Sequence, residues 1–152
     1  MDLIKKIENK KIISGIIGLG YVGIPLAVAI SEASLKVIGF DIDARKVELI
    51  NSGNSPIKNI CDHKIKNAKS HGFEATTDFN KISHCDVIII CVPTPLKNSR
   101  EPDLSFVIKT MEMISEHLNE NQLLSLESTT WPGTTKEILS PYITNQNLKI
   151  GE

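Results

Sequence analysis

Residues 12–30 read IISGIIGLGYVGIPLAVAI: an apolar run, a turn punctuated by glycine, and a second apolar run with Pro25 near its start. Glycine loses more conformational freedom on folding than any other residue. Three of them at an apolar junction, Gly18, Gly20 and Gly23, therefore need a reason. The pattern G-x-G-x-x-G supplies one when it follows a strand and opens a helix, as it does here. The first glycine permits a tight turn, the second leaves room for a pyrophosphate to approach the backbone, and the third lets the helix pack close to the strand. The helix N-terminus offers unpaired N–H groups and a partial positive charge to the phosphates. Pro25 fits the first helical turn, where its missing N–H would be unbonded anyway. A tight turn without a ligand is the plainer alternative.

The next apolar run, KVIGFD at 36–41, ends on Asp41. An acidic residue about 20 positions past the glycines accepts hydrogen bonds from a ribose. Its charge would repel a 2′-phosphate, so the pattern favours NAD over NADP. Lys46 is placed to reach the ribose hydroxyls. Arg45 either lies against the adenine or belongs to an exposed helix face.

Further runs are DVIIICV (86–92), QLLSLES (122–128), the shorter FEATT (73–77) and a final NLKI (147–150). Several are apolar on consecutive residues, as in strands of a parallel sheet buried on both faces. Helical patterns occupy 21–34, 43–52 (with Asp43 as N-cap and Gly53 beyond), 104–118 (capped by Asp103) and 133–142. The alternation predicts an α/β fold: a Rossmann-like, doubly wound, mainly parallel sheet with helices on both faces. Ligands in such sheets bind beyond the carboxyl ends of the strands. That singles out Gly18 to Gly23, Asp41, Pro93-Thr94-Pro95 and Ser128-Thr129-Thr130. Thr94, between two prolines, either faces a cofactor or belongs to a rigid turn. The three hydroxyls at 128–130 serve either a site or a helix cap. Trp131 belongs to the core or the pocket, and we place it in the core.

The 152 residues suit one domain. A net charge of −1 gives no general attraction for nucleic acid or anionic membrane. The basic stretch KKIENKK at 5–11 reads as a solvated helix face. No apolar run approaches the roughly 18 residues of a membrane span, and there is no secretory h-region. Three cysteines, Cys61, Cys85 and Cys91, show no CxxC spacing. They read as reduced thiols of a cytoplasmic protein, with Cys91 in the core. Cys61 and His63 lack a second ligand pair, so no metal is expected. No nucleophile–base set stands at the strand ends.

GIIGLGYVGIPLA, GFDIDARKVELINSGNSPI, CVPTPL, EPDLSFV and LESTTWPGTT together resemble the N-terminal NAD-binding domain of the UDP-glucose/UDP-N-acetylhexosamine 6-dehydrogenase family. The ESTTWPGTT block looks most like enzymes acting on UDP-N-acetylhexosamines such as UDP-N-acetylglucosamine. The resemblance implies an enzyme that oxidises a sugar C6 alcohol to the carboxylate with two NAD and one water, for surface polysaccharide synthesis. By motif, Gly18, Gly20 and Gly23 would bind the pyrophosphate, with Tyr21 and Val22 in contact. Asp41 and Lys46 would hold the adenosine ribose, Thr94 would touch the middle of the cofactor, and Thr129 would sit near the nicotinamide and position the water.

The family's nucleophilic cysteine, with the lysine and asparagine that assist it, belongs to a portion absent here, and none of Cys61, Cys85 or Cys91 matches it. Residues 1–152 would then be one domain, cut after NLKIGE, without the central and C-terminal UDP-sugar domains. Such a piece would bind NAD weakly, turn nothing over and be monomeric, whereas the whole enzyme would be a homodimer. Two alternatives remain: a stand-alone NAD-sensing module without catalysis, and a 3-hydroxyacid-type dehydrogenase, which shares a GLG-x-x-G start.

Overall fold

The apolar runs become strands. A computed structural model describes residues 3–97 and 101–151. It contains β1 (Ile13–Ile17), β2 (Lys36–Phe40), β3 (Phe73–Thr76), β4 (Val87–Ile90) and β5 (Leu123–Leu126). They form one sheet in the order β3-β2-β1-β4-β5, every pair parallel. The helices are α1 (Leu3–Glu8), α2 (Gly23–Glu32), α3 (Ala44–Asn51), α4 (Asp62–Ser70), α5 (Ser105–Ile114) and α6 (Ser140–Thr144).

Consecutive apolar residues in a strand point to opposite faces, and here both faces are covered. Ile16, Val37 and Ile89 pack with Ile24, Ala27 and Val28 of α2, Ile50 of α3, and Ile65 and Ala68 of α4. Ile17, Ile38, Phe40, Ile88 and Ile90 pack on the other side with Val107, Met111 and Ile114 of α5 and with Leu139. Each fully buried isoleucine contributes about 1.5–3 kcal/mol. The strand order reverses between β1 and β4, which opens a crevice at their carboxyl ends, where doubly wound folds bind ligands.

Local chemistry sets the helix ends. The Asp43 carboxylate accepts from the Arg45 N–H at 3.0 Å and starts α3. Gly53, at φ +82°, ends it. Asp103 accepts from the Ser105 N–H at 3.0 Å at the start of α5. That bond, more than any other cause, holds the Asp103 carboxyl below the usual carboxylate range. Helix α1 buries no residue, in keeping with a solvated face, but Lys6 pairs with Asp86, whose second oxygen accepts from the Ile13 N–H at 2.9 Å.

Three expectations need correction. Residues 147–150 are not a strand. Asn147 adopts a left-handed φ of 59°, and the Leu148 N–H donates to the Ile143 carbonyl at 3.4 Å, so the segment closes α6 instead. The helix expected at 133–142 is split: a π-helix over Thr135–Leu139 precedes α6. Pro141 has no N–H to continue an α pattern, and the Ser140 hydroxyl donates to the Thr135 carbonyl at 3.2 Å. Trp131 is 39% exposed and does not join the core. Helix α4 was not expected from the sequence. It buries only Ile65 and Ala68, too few to show as a periodic pattern.

Candidate dinucleotide site

The three glycines of the turn after β1 answer to different causes. Gly18 has φ +95°, and a Cβ there would stand 2.9 Å from the Cys91 carbonyl oxygen. A Cβ on Gly23 would stand 2.0 Å from the Gly18 carbonyl oxygen. The chain's own packing therefore demands both. Gly20 has nothing within 4 Å of its Cβ position and no left-handed φ. Nothing in the chain requires glycine there, and the open space is a cradle that a side chain would fill. Among the described residues, none accepts from the N–H groups of Gly20, Tyr21 or Val22, and α2 begins without a side-chain cap. Unbonded N–H groups at a helix start beside open space fit an anion.

Asp41 holds this turn in place. It is 7% exposed. Its Oδ2 accepts from the Leu19 N–H at 2.9 Å and from Lys46 Nζ at 3.2 Å, and its Oδ1 accepts from the Asp43 N–H at 2.9 Å. A carboxylate has about four acceptor positions, so capacity remains on Oδ1 for a ligand hydroxyl.

Two clefts flank the turn. One, of about 400 Å³, is lined by Gly18, Asp41, Ile42, Asp43 and Lys46 on the β2 side. Phe79, which packs on Phe40 of β2, and Phe106, Lys109 and Met113 of α5 line it as well. The other, of about 450 Å³, is lined by Gly20, Tyr21, Val22, Cys91, Thr94, Glu127 and Thr129. Val92 and Pro93 belong to both. The ends of β4 and β5 are tied together by the Ser128 hydroxyl, which donates to the Val92 carbonyl at 2.6 Å.

The crevice thus brings together Gly18, Gly20, Tyr21, Val22, Asp41, Lys46, Thr94 and Thr129, with Gly23 supporting the turn from within. It leaves out Arg45, which is exposed and outside both clefts, as well as Thr130 and Trp131. None of the three hydroxyls caps a helix: Ser128 binds Val92, and the following helix lacks a side-chain cap. Phe79, Phe106, Lys109 and Met113 join the site without having been expected from the sequence. The last three recur at the spacing i, i+3, i+7 on α5, a second stripe beside the core stripe, and that periodicity was the available signal.

Cys91 borders the second cleft. Burial, with the Glu127 carboxylate adding to it, pushes its thiol up to about 11. Burial and Asp86 push Cys85 up to about 12. All three cysteines are free, and only Cys61 is exposed.

Residues 11–151 match the UDP-glucose/GDP-mannose dehydrogenase family, NAD binding domain. The chain belongs to that family. The match assigns NAD as the cofactor. The chain is 36% identical over 128 residues to a UDP-N-acetyl-D-glucosamine 6-dehydrogenase of Salmonella typhi, covering 84% of this chain and 29% of the relative. It is 39% identical over 125 residues to a UDP-N-acetyl-D-mannosamine dehydrogenase of Yersinia pestis, again 29% of that protein and 81% of this chain. The crystal structure of an NDP-N-acetyl-D-galactosaminuronic acid dehydrogenase from Methanosarcina mazei superposes with a TM-score of 0.85 at 34% identity. That alignment covers 100% of this chain and 35% of the other. The chain spans under a third of the length of these two relatives. Among the described residues, no helix is long and apolar enough to cross a membrane.

Proposed function

We propose that this chain is the cofactor-binding domain of an NAD-dependent UDP-sugar 6-dehydrogenase that oxidises the C6 alcohol of a UDP-N-acetylhexosamine to the carboxylate. The observation that carries this reading is Gly20. Its Cβ position is empty in a turn whose other glycines are sterically required, and unbonded N–H groups stand beside it.

NAD, when bound, supplies the hydride acceptor. The Gly18–Gly23 turn receives the pyrophosphate through its N–H groups, with Tyr21 and Val22 alongside. Asp41 and Lys46 take the adenosine ribose, so the cleft of Phe106 and Met113 receives the adenine. Thr94 contacts the cofactor near its middle. Thr129, at the far end, faces the nicotinamide half and holds the water used to release the product. The names of the relatives support the N-acetylhexosamine substrate. The catalytic cysteine and the sugar-binding residues are assigned to the two-thirds of the relatives' length that this chain does not match, and dimerisation with them. The high pKa values of Cys85 and Cys91 agree with that assignment. Free cysteines agree with a cytoplasmic setting, and a role in surface polysaccharide synthesis follows from the substrate class. The 152-residue chain alone is expected to be a monomer without turnover.

Calorimetric titration with NAD and NADP, on the chain and on Asp41→Ala, tests the site. The reading expects NAD to bind more tightly than NADP, with the preference lost in the variant. Binding of NAD unaffected by Asp41→Ala would overturn it.

A further inference from the structure

Helix α5 carries two stripes. Val107, Met111 and Ile114 enter the core, whereas Phe106, Lys109 and Met113 face the cleft that ends on Asp41. Phe106 and Met113 are apolar walls. Lys109 is a cation on the same wall, and among the described residues it makes no ion pair or hydrogen bond. Its charge reaches Asp103 only through space.

The cleft lining holds two carboxylates, Asp41 and Asp43, and two ammonium groups, Lys46 and Lys109. Asp41 is not a bare charge either, because Lys46 and two backbone N–H groups already bind it. A carboxylate at the end of β2 ordinarily excludes a 2′-phosphate by repulsion. Here that repulsion is partly cancelled from within, and Lys109, an unpaired cation among the described residues, lines the same cleft.

We infer that Lys109 is a second determinant of cofactor choice, a cation offered to the 2′-phosphate of NADP that moderates the discrimination imposed by Asp41. The inference rests on the reading of this cleft as the adenosine site. NAD remains the preferred cofactor, but NADP binds too, and Lys109 sets the gap between them. A phosphate carrying nearly two negative charges draws on Lys109, whereas a ribose hydroxyl does not.

The test is calorimetry on the full 152-residue chain with NAD and with NADP, at low and high salt, for wild type, Lys109→Gln and Lys109→Glu. The quantity read is the ratio of the two dissociation constants. Lys109→Gln should raise the NADP-to-NAD ratio about threefold to tenfold, and Lys109→Glu should raise it further. The difference from wild type should narrow at high salt, because an exposed charge is screened. Both variants alter an exposed side chain, and their thermal unfolding confirms that they fold. A ratio unmoved by either variant, or equal weakening of both dinucleotides, overturns the role of Lys109 and leaves the site reading standing. If wild type binds neither dinucleotide, the site reading fails and this inference fails with it.

Discussion

The Leu19 N–H donates to the Asp41 carboxylate at 2.9 Å, which joins the glycine turn after β1 to the end of β2. The bond is buried, and one oxygen also meets Lys46. The residue expected to read the ribose therefore also shapes the turn expected to read the phosphates.

Asp41→Asn should separate these tasks. The amide keeps the shape but has one acceptor oxygen in place of two. Hydrogen bonds to a charged group are worth about 1.5–3 kcal/mol. Denaturant unfolding should show a loss of that order, and the Leu19 amide should exchange faster with deuterium. Unchanged exchange at Leu19 would mean that the turn holds itself.

Gly20→Ala and Gly23→Ala should fail in different ways. The Gly20 position is open, so its alanine variant should unfold within about 0.5 kcal/mol of wild type yet lose NAD affinity at least tenfold, a factor of about 1.4 kcal/mol. The Gly23 variant places a methyl 2.0 Å from the Gly18 carbonyl oxygen. It should lose at least the roughly 1–3 kcal/mol typical of overpacking. A Gly20→Ala chain that binds NAD like wild type would remove the main support for the site.

The thiols should react in order of exposure. At pH 8, Cys61 should take up a thiol reagent quickly in the folded chain. Cys85 and Cys91, held near 12 and 11, should react only as the chain unfolds. Rapid labelling of Cys91 in the native state would show the second cleft to be wetter than its packing implies.

Asp103 should make α5 sensitive to acid. Its folded-state pKa is lowered, chiefly by the Ser105 N–H. The stabilisation is thus fully present above the unfolded value of 3.8 and is lost as pH falls through the lower, folded value. Asp103→Asn should flatten that part of the stability curve. Thermal unfolding between about pH 2 and 6 spans the window, and parallel curves for the two proteins would show that the cap has no effect.

Much of this architecture was legible because its causes are local. Consecutive isoleucines in β4 announce burial on both faces, and Asp43 and Asp103 are short-range caps. Gly18 and Asp41 lie at a fixed spacing set by one strand-helix-strand unit. What escaped depends on long-range geometry. Phe79 and Lys109 are far apart in sequence and come together only as lining of the same cleft. The strand expected at 147–150 had the composition of a strand, but Asn147 turned the chain back on α6. The position of Trp131 could not be read from its type.

Val92 and Pro93 form a ridge between the two clefts, and the carbonyl of Val92 is pinned by Ser128. A redesign of cofactor choice that touches this ridge would disturb both halves of the crevice at once. The face of α5 around the first cleft carries no such obligation to the second, whereas Asp41 at the end of β2 is bound to the turn. That face of α5 is the place where preference between dinucleotides can drift, by selection or by hand, while the second cleft keeps its shape.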